Sequence, residues 1–347
     1  MSLPFAPACL PLLLGGLPHR NAAQALEISR RYAGQLLAWP QLPQRSFREQ
    51  SFVQSAIGFP GLVIDATHSR VYVDRGRAER EMDRLALAYL QDRSTYAALA
   101  SDDAPGLDEL MRQRDSMRGV LALKGQLLGP ISLAAQLTDE HDQPLIYDDM
   151  LFDALVQHLR LRAEWQETQL LELSDSTIIC IDEPFLDTVG LPFVPLDWDR
   201  AREQINQTLE GVRGYKGVFA GGAVNWTQVL QTSVDLVIAD IYNHSAALVA
   251  AAPALTTFLE HEGIVGLSIM PVDEDLLDGL SADDLAGMIA SFAEQLEPAG
   301  IAPDRLLRQA VISTTNTLSR LSLAAAERTL QLLAEVSKLL REQYALV

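Results

Sequence analysis

The chain has 347 residues, of which 48% are hydrophobic and only two are cysteines, Cys9 and Cys180. That length suits one large barrel or roughly two smaller domains, and two cysteines exclude a disulfide framework or an all-cysteine metal site. Lys and Arg total 27 against 46 Asp and Glu, a net charge of −19. Such a surface repels nucleic acid and anionic membranes, and it disfavours a polyanionic substrate unless the binding mouth is locally basic.

No apolar run reaches the roughly 18 residues that a membrane span needs. Residues 1–16 are apolar but contain Pro4, Pro7 and Pro11 and lack a cationic start. They read as a leader into a first strand, not a signal peptide. With so few cysteines the expected compartment is the cytoplasm.

The elements follow in chain order. Leu10–Leu14 reads as the first strand. Asn21 to Trp39 reads as a helix, with Asn21 as its N-cap and Pro40 as its stop. Gly61–Asp65 and Arg70–Asp74 form a hairpin around His68. Helices are expected from about Arg77 to Leu90 and Gly106 to Met117. A rhythm then sets in, with strands at Val120–Leu123, Thr177–Ile181, Gly217–Phe219, Asp235–Ile238, Ile264–Ile269 and Ala310–Ser313. Helices separate them, the longest over Asp148–Leu173 and the last over Ser319–Tyr344.

Strands alternating with helices predict parallel β/α topology. The repeat, unbroken by any linker, predicts a single (β/α)8 TIM barrel over residues 1–347, with the hairpin and extra helices inserted after the first strand. In that fold the site lies just past the strand C-termini. Those positions hold Gly15-Gly16-Leu17-Pro18-His19, Lys124-Gly125-Gln126, Asp182-Glu183-Pro184, Gly221-Gly222 before Asn225, and Asp240.

The adjacent acids Asp182 and Glu183 are the candidate catalytic pair. One can bind a cationic group or move a proton while the other orients it; the alternative is a solvated turn. His19, Lys124, Gln126, Asn225 and Asp240 are the candidate substrate-binding residues. Lys124 projects its ammonium into the mouth or makes an inter-strand ion pair. Gly221-Gly222 is either an anion cradle or tight packing. Asp240 and His244 have a metal-binding spacing, though helix capping explains them as well. A stripe of Leu332, Val336, Leu339 and Leu340 on the closing helix serves barrel packing or a homo-oligomer contact. No Gly-x-Ser-x-Gly elbow, Walker loop, His-Glu-x-x-His or Gly-x-Gly-x-x-Gly occurs.

The ordered strand-end motifs resemble one family. Leu17-Pro18-His19, Trp39-Pro40-Gln41-Leu42-Pro43, Arg45 to Glu49, Gly58-Phe59-Pro60-Gly61, Lys124-Gly125-Gln126 through Gly129-Pro130, Asp182-Glu183-Pro184, Asn225-Trp226 and Thr232 to Asp235 carry the likeness. Together they are similar to the catalytic barrel of cobalamin-independent methionine synthase, especially its short single-barrel relatives. The wider superfamily includes uroporphyrinogen decarboxylase and corrinoid-linked methyltransferases.

The resemblance implies methyl transfer to a thiol activated by zinc, with a corrinoid or folate as methyl donor and, in short relatives, a corrinoid protein as partner. The family's zinc ligands are a His-x-Cys pair, a Glu and a final Cys. Here those places read Phe219-Ala220-Gly221, Asp240 and about Asn316, so zinc is expected to be absent. The family's Ser after the first strand is Gly16, and a carboxylate expected before Gly58 is Ile57. Asp182, which the resemblance assigns to a substrate amino group, remains. The expectation is a divergent, zinc-free, methyltransferase-like protein that holds a small amine-bearing ligand at the barrel mouth. The alternatives are a non-catalytic binding or partner subunit and a metal-free decarboxylase of the uroporphyrinogen type.

Overall fold

A computed structural model describes residues Phe5 to Leu346. Among these residues eleven strands form two sheets. In chain order they are β1 (Leu10–Pro11), β2 (Leu36–Ala38), β3 (Leu62–Asp65), β4 (Arg70–Val73), β5 (Ala122–Leu128), β6 (Thr138–Asp139), β7 (Thr177–Asp182), β8 (Tyr215–Ala220), β9 (Leu236–Asp240), β10 (Ile264–Met270) and β11 (Ala310–Thr314). Eight of them make one parallel sheet in the order β1-β11-β10-β9-β8-β7-β5-β2. Its two ends meet: the Leu17 amide donates to the Gln41 carbonyl at 2.9 Å, and the Gln41 amide donates to the Gly15 carbonyl at 3.0 Å. The sheet is thereby drawn into an α/β TIM barrel.

The expected hairpin is present as β3 and β4, antiparallel, with β6 added in parallel to β4. It lies outside the barrel sheet, between β2 and β5 in the chain. The long helix Asp149–Leu171 starts on Asp148, whose side chain accepts from the Leu151 amide. Ser281 and Asp284 form a reciprocal capping box before Ala282–Leu296. Pro105, Pro130 and Pro303 open their helices at a position where no N–H is required.

Three local expectations need correction. The first helix is shorter than its pattern suggested. It runs over Ala22–Ala33 with Asn21 as its cap, and Gly34 ends it. Leu36-Leu37-Ala38 behind it is β2, buried on every residue; a three-residue apolar run lacks the length that separates a strand from a helix continuation. The strand expected over Val120–Leu123 instead runs over Ala122–Leu128, so Lys124 and Gln126 lie inside it. A second helix, Ile241–Ala250, intervenes between Asp240 and the expected helix near Ala254.

Side chains alternate between two cores. Leu123, Leu127, Ile179 and Ile181 join the outer core beneath the helices. Ala122, Ile178, Cys180, Phe219, Ile238 and Val311 join the lumen core. Strands buried on both faces explain why their sequences are apolar throughout. No helix among the described residues is long and apolar enough to cross a membrane.

Candidate functional site

The alternation fixes which strand-end groups face the lumen. On β7, Ile178 and Cys180 pack inside, and Asp182 is the next residue of that parity. It ends the strand 7% exposed, and its Oδ1 has no hydrogen-bond partner. Burial raises its carboxyl to about 7, and the nearby Lys124 charge opposes that rise. Below it, the Cys180 thiol is raised to about 11 by burial, so it remains a protonated thiol near neutral pH.

On β5 the inward parity belongs to Ala122, Lys124 and Gln126. Lys124 is fully buried, and its Nζ donates to the Leu14 carbonyl and to Gln126 Oε1, each at 3.3 Å. Gln126 donates through Nε2 to the Trp39 carbonyl at 2.9 Å. The outer face of the same strand is held by Gln166, whose Oε1 accepts from the Gln126 amide and from Trp39 Nε1. Lys124 and Gln126 therefore brace β5 against the segments just past β1 and β2 within the lumen. A polar residue that is buried and paired in a strand gives no sequence signal separating it from a strand terminus.

Glu183 turns the other way. Its carboxylate accepts from the Ile131 amide at 3.0 Å and the Ser132 amide at 2.8 Å. These are the free amides of the helix Pro130–Gln136, where a negative charge is favoured. Glu183 is fully buried, and burial raises its carboxyl to about 7 against the pull of these donors. A Cβ on Gly129 would sit 2.3 Å from Glu183 Oε1, so glycine is what admits the carboxylate. The adjacent acids are therefore split: Asp182 faces the lumen and Glu183 anchors a helix.

Of the remaining candidates, Asp240 shares the lumen parity of Leu236 and Ile238 on β9, whereas His19 and Asn225 lie in loops beyond the strands. Asp240 ends β9 and accepts from the Asn243 amide at 3.0 Å and its Nδ2 at 2.8 Å. It caps the following helix, in which His244 departs from helical geometry. Asn225 is exposed and begins the short helix Trp226–Val229 without a side-chain cap bond. His19 lines an open cleft of about 650 Å³ with Arg20, Gln44 and Arg320, a cleft that Asp182 does not line. Burial lowers its imidazole pKa. The structure does not join His19, Asn225 or Asp240 to Asp182 by hydrogen bonds. Gly222, at φ +80°, lies against Asp187, where a Cβ would be 2.5 Å from Oδ2, whereas a Cβ on Gly221 would meet nothing within 4 Å.

One lumen residue was not singled out from sequence. Ser268 on β10 is fully buried, and its Oγ has no partner. The available signal was its spacing in Ile264-Val265-Gly266-Leu267-Ser268, two and four residues from lumen-facing positions.

The sequence matches no protein-family model and no curated protein. The fold does have solved counterparts. A B12-independent methionine synthase from Shewanella sp. W3-18-1, in complex with selenomethionine, superposes with a TM-score of 0.60 at 13% identity, covering 98% of this chain and 100% of that one. A methyltransferase from Methanosarcina mazei superposes with a TM-score of 0.52 at 13% identity, covering 91% and 86%. The likeness is one of fold: a barrel architecture that a methionine synthase and a methyltransferase also use.

The zinc ligands implied by the sequence resemblance can be compared with the side chains present. At the His-x-Cys place Phe219 packs in the lumen core and Gly221 has no side chain, Asn316 is exposed, and both Asp240 oxygens are taken by Asn243. No group of three or more His, Cys, Asp and Glu able to hold a metal ion occurs among the described residues. These side chains do not fit a tetrahedral zinc site.

Proposed function

We propose that this barrel binds a small amine-bearing ligand through Asp182, as a divergent methionine-synthase-like methyltransferase without zinc-thiolate chemistry. The observation that carries the reading is Asp182 Oδ1, buried at the mouth end of β7 with no protein donor. A buried carboxylate oxygen without a donor is costly. An ammonium group offers both the missing N–H and the charge that favours ionisation. Lys124 is tied to Leu14 and Gln126 rather than hydrogen-bonded to Asp182, which leaves that oxygen for a ligand.

The roles of the remaining groups follow. Asp182 orients the amine, Lys124 and Gln126 hold the lumen floor, and Glu183 fixes the strand end from outside. Cys180 stays protonated and supplies no nucleophile. The methyl acceptor in this reading is something other than an unactivated thiol, and a corrinoid or folate supplies the methyl group.

L-Methionine is a reasonable first probe, since selenomethionine occupies the Shewanella structure. Titration calorimetry of the wild type should show binding, and Asp182→Asn should weaken it by about tenfold or more, as expected for a charge-assisted contact. Unchanged affinity in Asp182→Asn sinks the reading. Binding without methyl transfer from either donor class would favour a non-catalytic subunit.

A further inference from the structure

Among the described residues two lumen-facing polar side chains lack partners, and the second is Ser268. On β10, Ile264 packs in the lumen core, and a Cβ on Gly266 would meet Ile238 of β9 at 2.7 Å. Ser268 is the next residue of that parity. It pairs in register with Asp240 on one side and Ser313 on the other, which places it at the mouth end. Ser313, its neighbour, shows how this barrel ordinarily satisfies a hydroxyl: its Oγ donates to the Leu12 carbonyl at 2.7 Å. Ser268 makes no such bond.

The strand changes course immediately beyond. The β10–β11 register slips between Ser268 and Met270, and Ile269 and Met270 both pack in the outer core. A bulge re-aims side chains and ends regular pairing. Here it makes Ser268 the last regularly alternating residue of β10 that faces the lumen. The orphan hydroxyl and the bulge are separate observations, and they fall on the same residue.

We infer that Ser268 is a ligand-contacting residue that takes an oxygen of the molecule bound at Asp182, so the ligand is a small amine carrying a second hydrogen-bonding group rather than a plain alkylamine. The inference rests on the reading of Asp182 as the amine site. Asp182 can only accept when ionised, whereas a serine hydroxyl donates and accepts. A ligand with an amine alone satisfies the first group and leaves the second buried and unpaired. Sites with buried polar groups discriminate against analogues that fail to pair them.

The test compares L-methionine with 3-(methylthio)propylamine, which keeps the amine and thioether and lacks the carboxylate. Both are titrated into wild type, Ser268→Ala and Asp182→Asn, with urea midpoints confirming that each variant folds. The wild type should prefer methionine by about tenfold or more, and Ser268→Ala should cut that preference to within about threefold while binding the plain amine as the wild type does. A preference that survives in Ser268→Ala overturns the inference, with the hydroxyl then serving only protein or water. Unchanged affinity of Asp182→Asn for the plain amine overturns the Asp182 reading instead. No binding of either probe by the wild type overturns both.

Discussion

Asp182 and Glu183 are consecutive in the chain, yet their carboxylates lie on opposite sides of the barrel wall. Asp182 faces the lumen with Oδ1 unpartnered, and Glu183 accepts from the Ile131 and Ser132 amides outside it. The alternation of a strand end produces the split, and it assigns the two acids different work.

Replacement should therefore separate binding from stability. Glu183→Gln removes a buried charge from two helix amides and should destabilise the fold by about 1–3 kcal/mol. Asp182→Asn removes a carboxylate with an unmet oxygen, so its stability should be unchanged or higher while ligand binding is weakened about tenfold or more. Urea unfolding of both variants checks this. An equal loss of stability in the two would mean that both carboxylates are structural.

The pH dependence has a definite sign. Burial raises both carboxyls to about 7 from ordinary values of 3.8 and 4.5. Between those limits the folded chain holds more protons than the unfolded one, so this contribution falls as pH rises from about 4 to about 7. His158 works in the opposite direction. It is fully buried, and burial together with the nearby Arg162 charge lowers it to about 3 from 6.5. Its contribution is lost as pH falls through that window. Comparing wild type with Asp182→Asn cancels the histidine: unfolding midpoints at pH 5 and pH 7.5 should decline less with rising pH in the variant. Parallel slopes would mean that Asp182 ionises as an ordinary carboxyl.

Zinc gives a third expectation. The positions matching the family's ligands hold Phe219, Gly221, Asp240 and about Asn316, and Asp240 is occupied by Asn243. One carboxylate among such neighbours does not hold zinc tightly. Purified protein dialysed against a weak chelator should contain well below one zinc per chain by elemental analysis, and methionine binding should be unaffected. Near-stoichiometric zinc would return thiol activation to the leading position.

The barrel was legible because its strands are short apolar runs separated by amphipathic helices, from β7 onward especially. What was hidden has a physical reason in each case. β2 is Leu36-Leu37-Ala38, too short to carry a period of its own behind a capped helix. Lys124 and Gln126 looked like strand termini because polar residues usually mark them; in a barrel lumen they pair with each other and with the Leu14 and Trp39 carbonyls. The strand-end place of Asp182 was legible by position. The division of labour with Glu183 was not, because it depends on where the Pro130–Gln136 helix places its amides. Ser268 was overlooked because one serine in an apolar strand reads as a tolerated small residue until its neighbours are known.

The closure of the barrel yields the last expectation. Gly15 has φ +118°, and a Cβ there would stand 2.5 Å from Gln126 Cδ. Gly15→Ala thus meets two costs, a backbone conformation that L-residues avoid and a collision with a buried side chain. Gln126→Ala removes the collision but leaves the Trp39 carbonyl without its Gln126 donor and Lys124 with one acceptor fewer, a loss of about 1–3 kcal/mol. The backbone cost is common to both backgrounds, so only the steric part should couple. In a double-mutant cycle read by urea unfolding, Gly15→Ala should cost less in the Gln126→Ala background than in the wild type, with a coupling of about 1–2 kcal/mol. Simple additivity would place the whole cost of Gly15→Ala in the backbone, and the contact with Gln126 would then contribute nothing to closing the barrel between β1 and β2.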